Sequence, residues 1–372
     1  MDEALIGEAV QIATKAEVAV IFAGLPDLYE SESYDRVHMR MPEAQNELIS
    51  RVAAAQPNTV VVLHNGAPVE MPWIDSVKAV LEAYLGGQAV GQATVQVLYG
   101  KVNPSGRLPE TFPLRLEDNP SYLYFGGERD VAEYREGIFV GYRYYDKKKM
   151  PVLFPFGHGL SYTSFSYSNL RLDRKQMRED ELLEVLVDVT NTGSCPGKEV
   201  VQLYVRDVQS TDPRPEKELK GFEKIFLAPG ETKTVRFLLG KRAFAYYNPE
   251  ISDWHVEDGA FEILIAKSAQ EIVLCERVMV CANAALPVHY TRNSTFGDVL
   301  KDPKASEILK PLIERFAGDI AQGQASSDSP GLGASAGEML EAMMRDMPLR
   351  GALTFAKGFR KEDLDALLEQ LN

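Results

Sequence analysis

Glu17-Val-Ala-Val-Ile-Phe-Ala-Gly24 decides the fold class of the first half of the chain. The run is apolar almost throughout, rich in β-branched residues, too short for a core helix and closed by glycine. Such a run suits a strand buried on both faces. Upstream, Ile6, Ala9, Ile12 and Ala13 share one face of an opening helix. Downstream, a helix follows Pro42 with Ala44, Leu48, Val52 and Ala55 on one side, and Thr59-Val-Val-Val-Leu63 is a second buried-type strand ended by Asn65-Gly66. Val77–Tyr84 repeats the apolar run and Ala89–Leu98 reads as another helix. Continuous apolar strands separated by amphipathic helices predict a mainly parallel sheet covered by helices. In such sheets functional residues collect in loops beyond the carboxyl ends of the strands. The loop Leu25–Met41, after the first strand, is therefore the first place to look.

From about residue 180 the period changes to two. Leu183, Val185, Val187 and Val189 alternate with mostly polar neighbours, as do Val201, Leu203 and Val205, then Val235, Phe237 and Leu239, then Phe261, Ile263 and Ile265. Turn signals at Asn191-Thr-Gly, Ala228-Pro-Gly-Glu and Glu257-Asp-Gly separate them. This pattern predicts an all-β sandwich over residues 180–282. The remainder, residues 283–372, reads as a helical extension. A helix opens at Asp302-Pro303 and runs through Phe316, a Ser/Gly/Ala-rich linker spans about 323–337, and a final helix covers Lys361–Leu371. The methionines Met339, Met343, Met344 and Met347 suit a docking helix better than a cofactor site. Asn293-Ser-Thr matches a glycosylation acceptor but stands without a secretion signal.

The whole chain has 372 residues, 45% hydrophobic and 25% charged, with a formal net charge of −14. Those values are ordinary for globular domains and exclude wholesale disorder. The negative sign argues against a nucleic-acid or anionic-membrane partner, both of which need clustered positive charge. No apolar run approaches the roughly 20 residues of a membrane span. Asp2, Glu3 and Glu8 leave the first residues without the basic head of a signal peptide, and Cys195, Cys275 and Cys281 cannot all pair. A reducing, cytoplasmic setting is the expectation. No metal-ligand spacing or phosphate-binding glycine pattern is present in the sequence, so neither metal nor cofactor is expected.

Chemistry is concentrated in Pro26-Asp-Leu-Tyr-Glu-Ser-Glu-Ser-Tyr-Asp-Arg36. It holds Asp27, Glu30, Glu32 and Asp35 on a strand-end loop. Clustered carboxylates can raise one another's pKa and so make a general acid, although the same composition describes a solvated acidic loop.

Glu30-Ser-Glu-Ser-Tyr-Asp-Arg36, followed by Met41-Pro42, resembles the acid/base loop of glycoside hydrolase family 3 β-glucosidases, which usually reads E-S-E-G-[YF]-D-R. Pro57–Leu63, Pro68–Trp73 and Gly100–Pro109 resemble family segments in the same order. So do the long stretches Glu136-Gly-Ile-Phe-Val-Gly-Tyr-Arg-Tyr-Tyr-Asp146 and Phe154-Pro-Phe-Gly-His-Gly-Leu-Ser-Tyr-Thr163. Lys220-Gly-Phe-Glu-Lys224 is similar to part of the fibronectin type III-like domain that follows in this family. The resemblance covers residues 1 to about 282, and the tail is similar to extensions on some bacterial members.

The resemblance implies an α/β sandwich domain with a mainly parallel sheet over residues 1–165, partial at its start, then a fibronectin type III-like β-sandwich and a helical C-terminal extension. It implies Glu32 as the general acid/base, with Glu30 as the rival if the register is shifted. Ser33 stands where the family usually has glycine, and Asp35 and Arg36 are read as loop-fixing residues. A retaining glycosidase needs two carboxyl groups about 5–5.5 Å apart. In this family the nucleophilic aspartate lies on a separate (β/α) barrel, a domain of about 250 residues for which these segments leave no room. Ser252-Asp253-Trp254 resembles the nucleophile's context but sits between sandwich strands, where a structural Asp-Trp is expected.

His64 and Asn65 are expected to close a turn, His158 to pack where its segment meets the sandwich, and Tyr142, Tyr144 and Tyr145 to pack rather than stack on sugars. The chain is thus expected to be the C-terminal portion of a retaining β-glucosidase-type hydrolase acting on a β-glucoside or oligosaccharide. Its partner would be a barrel in cis or in trans, with almost no turnover alone. A truncated gene, a severed chain or a split enzyme would each account for the abrupt opening helix. The competing expectation is a non-catalytic carbohydrate-binding or structural accessory module.

Overall fold

The apolar run that opens the reading becomes β1 (Ala19–Gly24), which pairs in parallel with β2 (Thr59–His64); β2 pairs in parallel with β3 (Ala79–Glu82). The computed structural model describes all residues except 1, 34, 284, 285, 287, 325–341 and 343, and leaves out the side chains of 316–324. The chain forms two compact units, Met1–Asn283 and Ala284–Asn372.

In the first unit the period of two sorts the sheet into faces. Ile21, Ala23, Val61, Leu63 and Val80 lie on the face packed against Ile49 of α2 (Glu43–Ala55), together with Met41, Met71, Trp73 and Phe112. Trp73 satisfies its indole N–H at Asn46 of the same helix (2.9 Å). α1 (Glu3–Thr14) is capped by the Asp2 carboxylate and packs on α2 rather than on the sheet. The Gln56 side chain fastens its end by donating to the carbonyls of Ala13 and Ala16. Helix-on-helix contact needs only a narrow stripe, so Ile6 and Ala13 are buried while Ile12 is 62% exposed. On the other face of the sheet Val62 is fully buried, yet Val20 and Phe22 of β1 remain 42% and 60% exposed. Helical cover on both faces was the expectation; on this second face Val62 of β2 is covered while Val20 and Phe22 of β1 are not.

α3 (Val90–Leu98) forms one residue later than the pattern suggests. The tyrosine run folds as α4 (Tyr142–Lys148), which puts Tyr142 and Tyr145 on one face, 8% and 3% exposed, and turns Tyr144 away. Helical spacing, rather than alternation, packs these rings.

The β-sandwich includes β4 (Phe165–Leu172), upstream of residue 180, because that strand pairs with β6 (Leu183–Asn191), which pairs in turn with β9 (Thr232–Leu239). The facing sheet has the order β5 (Gln176–Arg178), β13 (Ile272–Cys281), β12 (Gly259–Ala266), β7 (Gly197–Asp207), β8 (Glu218–Leu227). A small hairpin joins β10 (Tyr246–Asn248) to β11 (Asp253–His255). Every residue of the four alternating series lies in one shared core.

Polar contacts seat the α/β region on the sandwich. Asp146 pairs with Lys217 at 2.6 Å, the Tyr142 hydroxyl accepts from the Leu219 N–H at 2.8 Å, and Arg107 pairs with buried Glu199 at 2.8 Å. Tyr167 also donates to Glu199 (2.9 Å). Gln202 donates to the carbonyls of Gly157 and Lys267 at 3.0 and 2.7 Å. His158, expected to pack here, stacks on Phe154 with centroids 5.2 Å apart, and burial pushes its pKa down.

In the second unit, Phe296, Val299, Leu309, Leu312, Leu349 and Leu364 form the core, and Thr295 and Asp298 make a capping box. The helix from Pro303 continues through Pro311 to Gln324, past the expected end at Phe316. The final helix is Lys361–Leu371, and Asn372 bonds both the N–H and the carbonyl of Tyr290. Met344 is buried and Met347 packs beside it. Met339, Met343 and residues 325–337 of the expected linker lie outside the described residues. Among the described residues no helix is long and apolar enough to cross a membrane.

Candidate active site

The acidic loop leaves β1 at Gly24, where two strands converge. A Cβ on Gly24 would lie 2.1 Å from the His64 carbonyl oxygen, so only glycine fits. The Gln45 side-chain amide bonds both the N–H and the C=O of Gly24, each at 2.9 Å, and stands in for a neighbouring strand at that point. The loop then turns at Pro26, whose carbonyl accepts from the Tyr29 and Glu30 N–H groups at 2.7 and 3.2 Å.

Glu30 and Glu32, two positions apart, meet different fates. Glu30 accepts a hydrogen bond from the Gly66 N–H at 2.5 Å and lies 3.7 Å from the Arg36 guanidinium. Arg36 in turn donates to the Pro68 carbonyl at 3.3 Å. The loop is thus pinned at Glu30 and at Arg36, and Glu32 stands exposed between the two pins. Asp27 and Asp35 are exposed as well. Ser33, in the family's glycine position, has φ +81°, so the left-handed conformation that favours glycine is retained with a side chain present. The four loop carboxylates therefore do not form a cluster of their own.

A different acidic group lies behind the loop. Asn65, fully buried at the end of β2, donates to the Ala67 carbonyl (2.9 Å) and to Glu82 (3.3 Å) at the end of β3. Asn65 thus closes the expected turn and reaches a carboxylate besides. Glu82 also accepts from the Tyr84 N–H (3.0 Å), and the Tyr84 hydroxyl donates to Glu110 (3.2 Å). Burial pushes the Glu82 carboxyl up to about 7, with Glu110 and Glu30 adding repulsion. Glu110 is raised by burial and by Glu30, the Tyr84 hydroxyl is raised by burial, and burial lowers Arg36 against the pull of Glu30 and Glu70. Asn65 Oδ1 and Arg36 Nη2 are buried without a hydrogen-bond partner among the described residues. Glu82, Tyr84 and Glu110 were not singled out from sequence. One signal was available: Glu82 follows Val80-Leu81 at the carboxyl end of the third strand, where site residues are expected.

His64 stacks on Phe22, ring centroids 6.4 Å apart, instead of facing a site. Asp253 opens β11 and accepts from the adjacent Trp254 N–H (2.7 Å), while the Trp254 ring lies 3.3 Å from the Arg242 guanidinium. These are the contacts of a hairpin post. Among the described residues no three metal-ligating side chains gather into a site.

A parallel-sheet domain thus offers an exposed carboxylate on a pinned strand-end loop and is joined by buried ion pairs to a β-sandwich. Residues 2–162 match the C-terminal domain of glycosyl hydrolase family 3, and residues 199–269 match the fibronectin type III-like domain. The chain carries the C-terminal part of a glycosyl hydrolase family 3 protein. It is 54% identical over 373 residues to the thermostable β-glucosidase B of Acetivibrio thermocellus, an alignment covering 100% of this chain and 48% of that protein. Among solved structures, the family 3 β-glucosidase of Bifidobacterium adolescentis matches at a TM-score of 0.76 and 41% identity, over 83% of this chain and 45% of that one. The β-glucosidase of Kluyveromyces marxianus in complex with glucose matches at 0.71 and 43%, over 76% and 34%. The chain thus spans about half the length of the first of these relatives, or less.

Proposed function

We propose that this chain supplies the general acid/base, Glu32, to a retaining β-glucosidase whose nucleophile lies on a barrel domain provided in cis or in trans. The carrying observation is the division of labour in the acidic loop. Glu30 is committed to Gly66 and Arg36, while Glu32 is held exposed between the two anchors. An anchored loop that holds an exposed carboxylate between its two pins suits a group that exchanges protons with a substrate delivered from outside the domain. Glu32 protonates the leaving glycosidic oxygen, then deprotonates the water that resolves the glycosyl-enzyme intermediate. The names of the relatives support a β-glucoside as substrate, and a bacterial cytoplasmic setting belongs to the same reading.

The test reconstitutes the assembly. This chain is combined with the portion of the Acetivibrio thermocellus β-glucosidase B that it does not match, and hydrolysis of an aryl β-glucoside is followed. Turnover is expected only in the mixture, and Glu32→Gln should lower kcat by at least about 100-fold, the usual scale of general acid/base catalysis. Activity that survives Glu32→Gln would sink the acid/base assignment. Complex formation without any turnover would favour an accessory module.

A further inference from the structure

The turn after β2 carries the first pin of the acidic loop, and one buried amide sets that turn. Gly66 gives its N–H to Glu30, and a Cβ on Gly66 would lie 3.2 Å from that carboxylate, so turn and loop meet at close range. The Asn65 side chain, 1% exposed, donates through Nδ2 to the Ala67 carbonyl at 2.9 Å and so closes the turn across Gly66. The same Nδ2 donates to Glu82 Oε2 at 3.3 Å, while the Tyr84 N–H donates to Glu82 Oε1 at 3.0 Å. Both Glu82 oxygens therefore accept N–H bonds, which suits an ionised carboxylate.

The other end of the Asn65 amide tells a different story. Oδ1 is buried without a hydrogen-bond partner among the described residues. A buried acceptor left unpaired is costly, and a donor brought to it removes the cost. Protonated Glu82 is such a donor. The oxygen and nitrogen of an amide fill nearly the same space. A half-turn of the Asn65 amide thus brings Oδ1 to the Glu82 O–H and swings Nδ2 off the Ala67 carbonyl. Burial holds the Glu82 carboxyl near its midpoint at neutral pH, up to about 7, so both settings are within reach.

We infer that Glu82 and Asn65 are positioning residues for the loop that carries Glu32. Ionised Glu82 keeps the Asn65 amide on the Ala67 carbonyl, which holds the turn that offers the Gly66 N–H to Glu30. Protonated Glu82 turns the amide and loosens that pin. The charged and titratable groups that face Glu82 are Glu110, Glu30 and Tyr84, and Arg36 faces Glu30 in turn. His64, next to Asn65 in the chain, stacks on Phe22 instead. Repulsion from Glu30 is the smallest of the influences on Glu82, so the amide carries the signal to the loop rather than direct repulsion. The benefit to Glu32 rests on the catalytic reading proposed above, whereas the amide latch rests on geometry alone.

The test follows the Gly66 amide of the full chain by nitrogen-15 NMR between pH 6 and pH 8. Its protection from exchange, corrected for the intrinsic rate, should rise at least about fivefold across that range. The midpoint should lie near the Glu82 value of about 7. In Glu82→Gln the Tyr84 N–H keeps the side-chain oxygen, and the introduced NH2 faces Asn65 as a protonated carboxyl would. The step should then vanish, with Gly66 left at its low-pH protection. Asn65→Ala removes the latch and should give the same flat, low profile, with circular dichroism confirming the fold of both variants. Glu110→Gln relieves repulsion and should move the midpoint down while keeping the step. A flat profile in the parent, a step that survives Glu82→Gln or Asn65→Ala, or a step lost in Glu110→Gln would overturn the inference. In the reconstituted assembly, Glu82→Gln should lower the ratio of kcat at pH 8 to kcat at pH 6 by at least about threefold, with KM little changed. An unchanged ratio, in an assembly that Glu32→Gln silences, would refute the positioning role. Hydrolysis that survives Glu32→Gln fails the catalytic reading instead, and the Gly66 step then decides the latch.

Discussion

Ser33 holds φ +81° with a side chain attached, a conformation that costs an L-residue about 1 kcal/mol or more. Glycine removes that strain but adds freedom to the unfolded chain, so Ser33→Gly should raise the unfolding free energy by at most about 1 kcal/mol. Ser33→Val, β-branched at the same backbone angle, should lower it by about 1–2 kcal/mol in urea titrations. Glu82 gives a pH-dependent prediction. Its folded pKa of about 7 lies above its ordinary value of 4.5, so the protonated form is the one the fold favours. The stability it contributes is complete below about pH 4.5 and is lost as pH rises toward 7, up to about 3 kcal/mol in all. Glu82→Gln keeps the neutral shape, so it should match the parent near pH 4.5 and be the more stable of the two at pH 8. Equal pH dependence in urea unfolding of both proteins would refute the buried-carboxyl assignment. The loop that carries Glu32 could be picked out in the sequence because its motif is contiguous. Glu82, Tyr84 and Glu110 could not, since β2–β3 pairing and the Tyr84 bond bring them to Asn65 from separate segments.

Elements were legible where burial and periodicity agree. The sandwich strands alternate in sequence and bury every alternating residue, because each has one face in the core and one in water. α4 follows helical spacing, with Tyr142 packed against Phe156 and Tyr204, a placement the aromatic cluster alone does not announce. The run at β1 correctly announces a strand but is silent about its neighbours, and its exposed face follows from sheet order alone. The convergence of β1 and β2 makes a sharp prediction. Gly24→Ala must separate the strands or displace the His64 carbonyl, and should cost at least about 2 kcal/mol in thermal or urea unfolding. Gln45→Ala leaves the Gly24 peptide groups without their partner and should cost about 1–3 kcal/mol.

At the scale of the molecule, the α/β region and the sandwich are joined through charges withdrawn from solvent. Glu199 is nearly fully buried between Arg107 and Tyr167, and Glu199→Ala leaves a buried guanidinium uncompensated. A loss of about 3–5 kcal/mol is expected, with residues 1–283 unfolding in one cooperative transition. Separate melting of the two regions in calorimetry would contradict so tight a junction. The segment Phe154–Thr163 belongs to this junction: a Cβ on Gly157 would strike the Gln202 amide at 2.3 Å, and one on Gly193 would strike the Thr163 hydroxyl at 2.2 Å. Its distinctive spelling thus records a fit between two domains more than the needs of either. Heredity should respect that fit. Recombination that shuffles domains among related genes would be tolerated on either side of this stretch of chain, and rarely between Arg107 and Gln202, where each half would inherit a socket cut for a different plug.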